Sequence, residues 1–116
     1  MEIKVNPSDK ITVVEIRGRI TEGESASELD KALRRLIREK KVNTILDVSE
    51  MSWFDSTAIG ILVSHYVSAK KLDGRVLLLK ANDKVKTLMK LVHLDQRFGW
   101  ADDMDEARSW FENSAS

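Results

Sequence analysis

Asp55, Ser56 and Thr57 set two hydroxyls beside a carboxylate, just ahead of the apolar run Ala58-Ile59-Gly60-Ile61-Leu62. The run reads as an amphipathic helix, so the three polar residues stand at its start. A serine there can be a nucleophile, if a base lies within hydrogen-bond reach. It can accept a phosphoryl group, because free backbone N–H groups and the positive end of the helix dipole favour an anion. Or Asp55 and Ser56 simply cap the helix. The nucleophile fails on spacing. His65 is nine residues on, roughly 13 Å along a helix axis and about 180° around it. His93 lies near the end of a later helix and reads as a C-terminal residue interacting with the helix dipole.

Other chemistries find less support. The two histidines lack the carboxylate spacing of a zinc site, and there is no cysteine, which excludes disulfides, thiolate ligands and thiol nucleophiles. Gly18, Gly23, Gly60, Gly74 and Gly99 are scattered and form no phosphate-binding loop. No metal ligands, cofactor or catalytic residues are expected. Trp53, Trp100 and Trp110 form no stacking series interleaved with basic residues. Trp53 precedes Ser56 in what reads as a loop, either as core or as part of an exposed recognition surface.

The chain has 116 residues and a formal net charge of zero, which argues against a general nucleic-acid binder. That length suits a single domain over residues 1–116, with the last few as a flexible tail. Basic residues gather at Lys31, Arg34, Arg35, Arg38, Lys40 and Lys41, and again at Lys84, Lys86 and Lys90, and acidic ones at Asp102, Asp103, Asp105 and Glu106, as solvated helix faces would. The N-terminus lacks the apolar run of a signal peptide and no segment has the length of a membrane span. A cytoplasmic protein without direct membrane insertion is expected.

The elements that must position Ser56 follow from periodicity. Glu2–Val5 and Ile11–Arg17 read as strands joined by a turn at Asn6-Pro7-Ser8-Asp9-Lys10. Thr21-Glu22-Gly23-Glu24 has the pattern of a capping box opening a first helix with Ala26, Leu29, Leu33, Leu36 and Ile37 inward. Thr44–Val48 is a central strand, and a loop leads from it to a second helix over Ser56–Leu72. Ile59, Leu62, Val63, Tyr66 and Val67 form that helix's core stripe, and Asp73-Gly74 ends it. Arg75–Lys80 is a strand covered on both faces. Asp83–Leu91 is a helix, Arg97–Ala101 a strand and Asp102–Glu112 a last helix. The fold class is α/β: a small mixed sheet of about five strands with four helices, ordered ββαβαβαβα. Strands joined through helices are parallel, and the opening pair makes the sheet mixed.

Asp47-Val48-Ser49, the apolar pair Trp53-Phe54, and Asp55-Ser56-Thr57-Ala58-Ile59-Gly60 resemble the pattern of the STAS family (sulfate transporter and anti-sigma factor antagonist domains). That pattern is roughly Asp-Leu-Ser, an apolar pair, then Asp-Ser-Ser/Thr-Gly-Leu-Gly. Element order agrees, Arg17-Gly18-Arg19-Ile20 stands at the strand end before the first helix, and Leu91–Phe98 fits the loop before the final strand. A free-standing chain of this size looks most like a bacterial anti-sigma factor antagonist. The resemblance implies a non-enzymatic binding protein in a partner-switching pathway. A serine-kinase anti-sigma factor would bind it and phosphorylate Ser56, with Thr57 the second choice, and a serine/threonine phosphatase would restore it. ATP and metal would belong to those partners.

The expected partner surface is Thr21, Glu22, Gly23, Glu24, Ser52, Trp53, Asp55, Ser56 and Thr57, with Ser64 and His65 as outer positions of the second helix. A monomer or weak dimer is expected. Ala58 stands where the family has glycine, and its methyl is expected to crowd an approaching kinase. Two other roles fit a STAS-like chain: a scaffold of a signalling complex, or a subunit of a lipid-transport complex.

Overall fold

The computed structural model describes residues 2–7 and 10–113. Its elements are β1 (Glu2–Pro7), β2 (Thr12–Ile20), α1 (Glu24–Arg38), β3 (Asn43–Phe54), α2 (Ser56–Lys71), β4 (Arg75–Leu79), α3 (Asp83–Leu91), β5 (Gly99–Ala101) and α4 (Met104–Asn113). The expected order and sheet class are observed. One five-stranded sheet runs β1-β2-β3-β4-β5, antiparallel between β1 and β2 and parallel thereafter. Ser8 and Asp9 of the expected turn, and the expected tail, lie outside the described residues. β5 and α4 each begin two residues later than the sequence suggests.

Sequential strand order explains the layers. Three crossovers of one hand, each stepping one strand the same way, put their helices on one face. Leu29, Leu33 and Leu36 of α1, Ala58, Ile59 and Leu62 of α2, and Val85 and Met89 of α3 accordingly share a core with Val14, Leu46 and Leu78 of the sheet. α4 covers the other face, where Ala107 and Phe111 pack with Val13, Ile45, Leu77 and Leu79. β4 is buried on both faces, as its apolar run requires.

Close approach fixes two glycines. The Val42 carbonyl oxygen stands where a Cβ on Gly74 would go, and Trp110 Cε2 would be 2.6 Å from a Cβ on Gly99. The left-handed residue after α2 is Asp73 (φ 61°), with Gly74 serving for packing.

β3 differs most from expectation. It continues through the expected loop to Phe54, because two bulges each insert an extra residue against β2. Glu15 pairs with Asp47 but Arg17 with Glu50, and Gly18 pairs with Met51 but Arg19 with Trp53. The first bulge is held by Asp47, whose Oδ1 accepts from Ser49 N–H at 3.0 Å and Ser49 Oγ at 2.7 Å. The Asp-Val-Ser part of the motif is therefore structural. β4 pairs with β3 only as far as Asp47, so Val48–Phe54 overhangs the sheet beside β2.

Candidate functional site

Parallel strands end at a common edge, so α1, α2 and α3 all begin there and aim their positive dipole ends at it. Asp55 joins two of the starts. Its Oδ1 accepts from Ala58 N–H at 3.2 Å as the cap of α2, and its Oδ2 accepts from Glu22 N–H at 2.9 Å in the β2–α1 loop. The Glu22 N–H is the largest cause holding this carboxyl below its ordinary pKa, and the N–H groups of Ala58 and Thr57 add to it. Asp55 is thus a cap and a tie between segments.

The expected capping box at α1 does not form. Gly23 is the N-cap, at φ 115°, and makes no side-chain cap bond. Thr21 N–H instead donates to Ser25 Oγ at 3.0 Å, and that hydroxyl donates to Thr21 O at 3.1 Å. A φ of that sign suits glycine, whereas Thr21 lies too far before the helix to cap it.

Ser56 and Thr57 are exposed on the first turn of α2. Among the described residues neither hydroxyl has a hydrogen-bond partner. Trp53 is 52% exposed, which removes the core reading. Glu22, Gly23, Glu24, Ser52 and Ser64 are exposed, and Thr21 is half-buried. Asp55 draws the β2–α1 loop to the start of α2, with Trp53 at the end of β3, whereas Ser64 lies two turns along α2.

Three expectations about α2 are corrected, those for His65, for Val67 as part of the core stripe, and for Ala58. His65 is not an outer position: it is buried, with Nε2 2.9 Å from Thr44 Oγ1. It turns toward β3 because its place on α2 falls on the line of Ile59, Leu62 and Ala69, while Val67 turns out to solvent. Burial pushes its pKa down to about 4. Ala58 is likewise fully buried, so its methyl faces the core and crowds nothing that approaches Ser56.

Lys84, at the second position of α3, was read only as part of a solvated basic face, and its contacts correct that reading. Its Nζ donates to Phe54 O at 3.3 Å and stands 4.4 Å from the Trp53 ring centroid and 4.6 Å from that of Phe54. The contact crosses thirty residues of chain and no local pattern announces it. Gly60 was read as a scattered glycine and as part of the motif. It is exposed one turn beyond Ser56, and a Cβ there would meet nothing within 4 Å.

Hollows of 360 and 480 Å³ lie away from Ser56. They are lined by Lys70, Arg75, Phe98 and Trp110, and by His93, Asp95, Gln96 and Arg97. Arg75 begins β4 beside Asn43, at the opposite end of the parallel strands from Ser56. Around Ser56 the surface presents the exposed Ser56 and Thr57 hydroxyls, the Trp53 indole and the bare backbone of Gly60.

These features define a small α/β domain with an exposed hydroxyl at a helix start. A sequence model of the STAS domain matches residues 2–107, and the chain belongs to that family. Among solved structures, a Thermotoga maritima protein superposes with a TM-score of 0.82 at 20% identity, over 92% of both chains. An anti-sigma factor antagonist from Mycobacterium paratuberculosis gives 0.78 at 21% identity, over 93% of this chain and 91% of the other. The Bacillus cell fate determinant SpoIIAA in its phosphorylated form also gives 0.78, at 14% identity over 93% and 97%. These likenesses show the fold. Among the described residues no helix is long and apolar enough to cross a membrane.

Proposed function

We propose that this chain is an anti-sigma factor antagonist, whose binding to a serine-kinase anti-sigma factor is switched off by phosphorylation of Ser56. The observation that carries this reading is the unpartnered, exposed Ser56 hydroxyl at the first position of α2, beside a carboxylate already occupied by backbone N–H groups. SpoIIAA, a structural neighbour, is known in both unphosphorylated and phosphorylated forms.

In the transfer, Ser56 Oγ bonds to the terminal phosphorus of ATP, the bond to the bridging oxygen of ADP breaks, and the hydroxyl proton passes to a base of the kinase and from there to water. ATP and its metal are held by the kinase, and a serine/threonine phosphatase reverses the step by hydrolysis. The product adds a charge of about −1.5 to −2 at the helix start. The dipole tolerates it there, so the domain keeps its shape while a surface fitted to a neutral hydroxyl is lost. The partner surface comprises the β2–α1 loop, Trp53 and the outer face of α2 through Gly60 and Ser64.

The test is intact mass after incubation with ATP and the genome-encoded kinase, for wild type, Ser56→Ala and Thr57→Ala. Ser56→Ala is expected to take no phosphate and still retain the kinase in a pull-down, Thr57→Ala to behave as wild type, and Ser56→Asp to lose the kinase. Undiminished phosphorylation of Ser56→Ala sinks the site assignment.

A further inference from the structure

Lys84 holds its charge in an unusual setting. Its ammonium rests on one carbonyl and two ring faces, and among the described residues no carboxylate pairs with it. A phosphate dianion adds direct charge attraction to the hydrogen bond that an ammonium makes, which a neutral carbonyl cannot. Only Asp55 separates Phe54, whose carbonyl the ammonium holds, from Ser56. Two residues of chain span at most about 7 Å between their Cα atoms, and the lysine carries its charge on a flexible four-carbon stem.

We propose that Lys84 is the counter-ion of a phosphate on Ser56 and that it couples modification to Trp53. With the hydroxyl free, the ammonium lies against the Trp53 and Phe54 rings. With the dianion present, it moves to the phosphate, and the indole loses the cation that holds it. The signal then has two parts: new charge at Ser56 and a released aromatic side chain beside it. The inference rests on Ser56 being the modified residue.

The neighbouring acids do not substitute for this pairing. Asp55 has both oxygens engaged by backbone N–H groups and repels the phosphate. Asp83 is exposed in the first turn of α3 and makes no ion pair with Lys84. Lys86 faces elsewhere, lining a hollow with Trp100, Asp102 and Glu106, and serves as a control.

The experiment uses the full chain with phosphoserine incorporated at position 56 during translation, so it needs no kinase. Phosphorus NMR follows the second phosphate ionisation, and the Trp53 indole N–H resonance, assigned with Trp53→Phe, reports the ring. Lys84→Gln is expected to raise the phosphate pKa by about half a unit or more. Lys84→Arg restores it, and Lys86→Gln leaves it at the wild-type value. Phosphorylation shifts the indole resonance in wild type and leaves it unmoved in Lys84→Gln. Equal phosphate pKa values in wild type and Lys84→Gln, or equal indole shifts in both, overturn the proposal while leaving the kinase test of Ser56 intact.

Discussion

Between α2 and β3, His65 keeps Nε2 on Thr44 Oγ1, and among the described residues its Nδ1 has no partner. Its folded pKa of about 4 lies below the ordinary 6.5. Above pH 6.5 the ring is neutral in folded and unfolded chains and contributes no pH dependence. As pH falls from 6.5 toward 4, the unfolded chain takes up the proton first. That costs the fold about 3 kcal/mol by the bottom of the window. Urea unfolding of wild type at pH 7, 5.5 and 4.5 should show this loss. His65→Gln, which keeps a polar partner for Thr44 but does not titrate, should give a flatter profile, and matching slopes would refute the assignment. Asp55 acts in a lower window. Its carboxylate contribution is complete above the ordinary value of 3.8 and is lost as pH falls through the depressed folded value. The inward turn of His65 was hidden in the sequence because histidine is ordinarily a surface or half-buried residue.

At the scale of elements, α2 carries a cost with no packing reason. Gly60 lies in the helix interior, on the exposed side, where a methyl would meet nothing. Alanine there should stabilise the domain by about 0.5–1 kcal/mol, read as a raised thermal midpoint. On the proposed function the same change weakens kinase retention, because the partner then meets a methyl one turn beyond Ser56. A Gly60→Ala protein no more stable than wild type would refute the packing argument. α3 was legible to the residue, since Asn82 caps it through Val85 N–H at 3.0 Å and its apolar positions recur at helical spacing. β3 was legible only as far as Val48. Beyond it the buried residues are Met51 and Phe54, spaced by three, because the bulges break the strand period of two. A strand with that spacing looks like a loop. Ala58 was misread for a related reason: the first turn of a helix shows too few residues to reveal which side faces the core.

For the whole molecule, the alternation of elements made strand order and sheet class legible, because short crossovers leave few topologies. The long-range contacts were not. Glu22 to Asp55 spans thirty-three residues and Lys84 to Phe54 thirty, and nothing local in either segment points to the other. The bulged overhang of β3 brings these contacts together, since it carries Trp53, Phe54 and Asp55 beyond the last residue paired with β4. On the proposed function, the Ser56 hydroxyl therefore belongs to a composite epitope, assembled from three stretches of chain only when the domain is folded. On the proposed function, a synthetic peptide covering residues 47–62 contains every residue of the motif yet should be phosphorylated at least about ten-fold more slowly than the whole chain, a loss of about 1.4 kcal/mol of recognition. Equal rates would show that the kinase reads linear sequence. A kinase that needs the assembled epitope ignores nascent, damaged or partly degraded copies. The overhang would then act as proofreading, confining the signal to molecules that have finished folding.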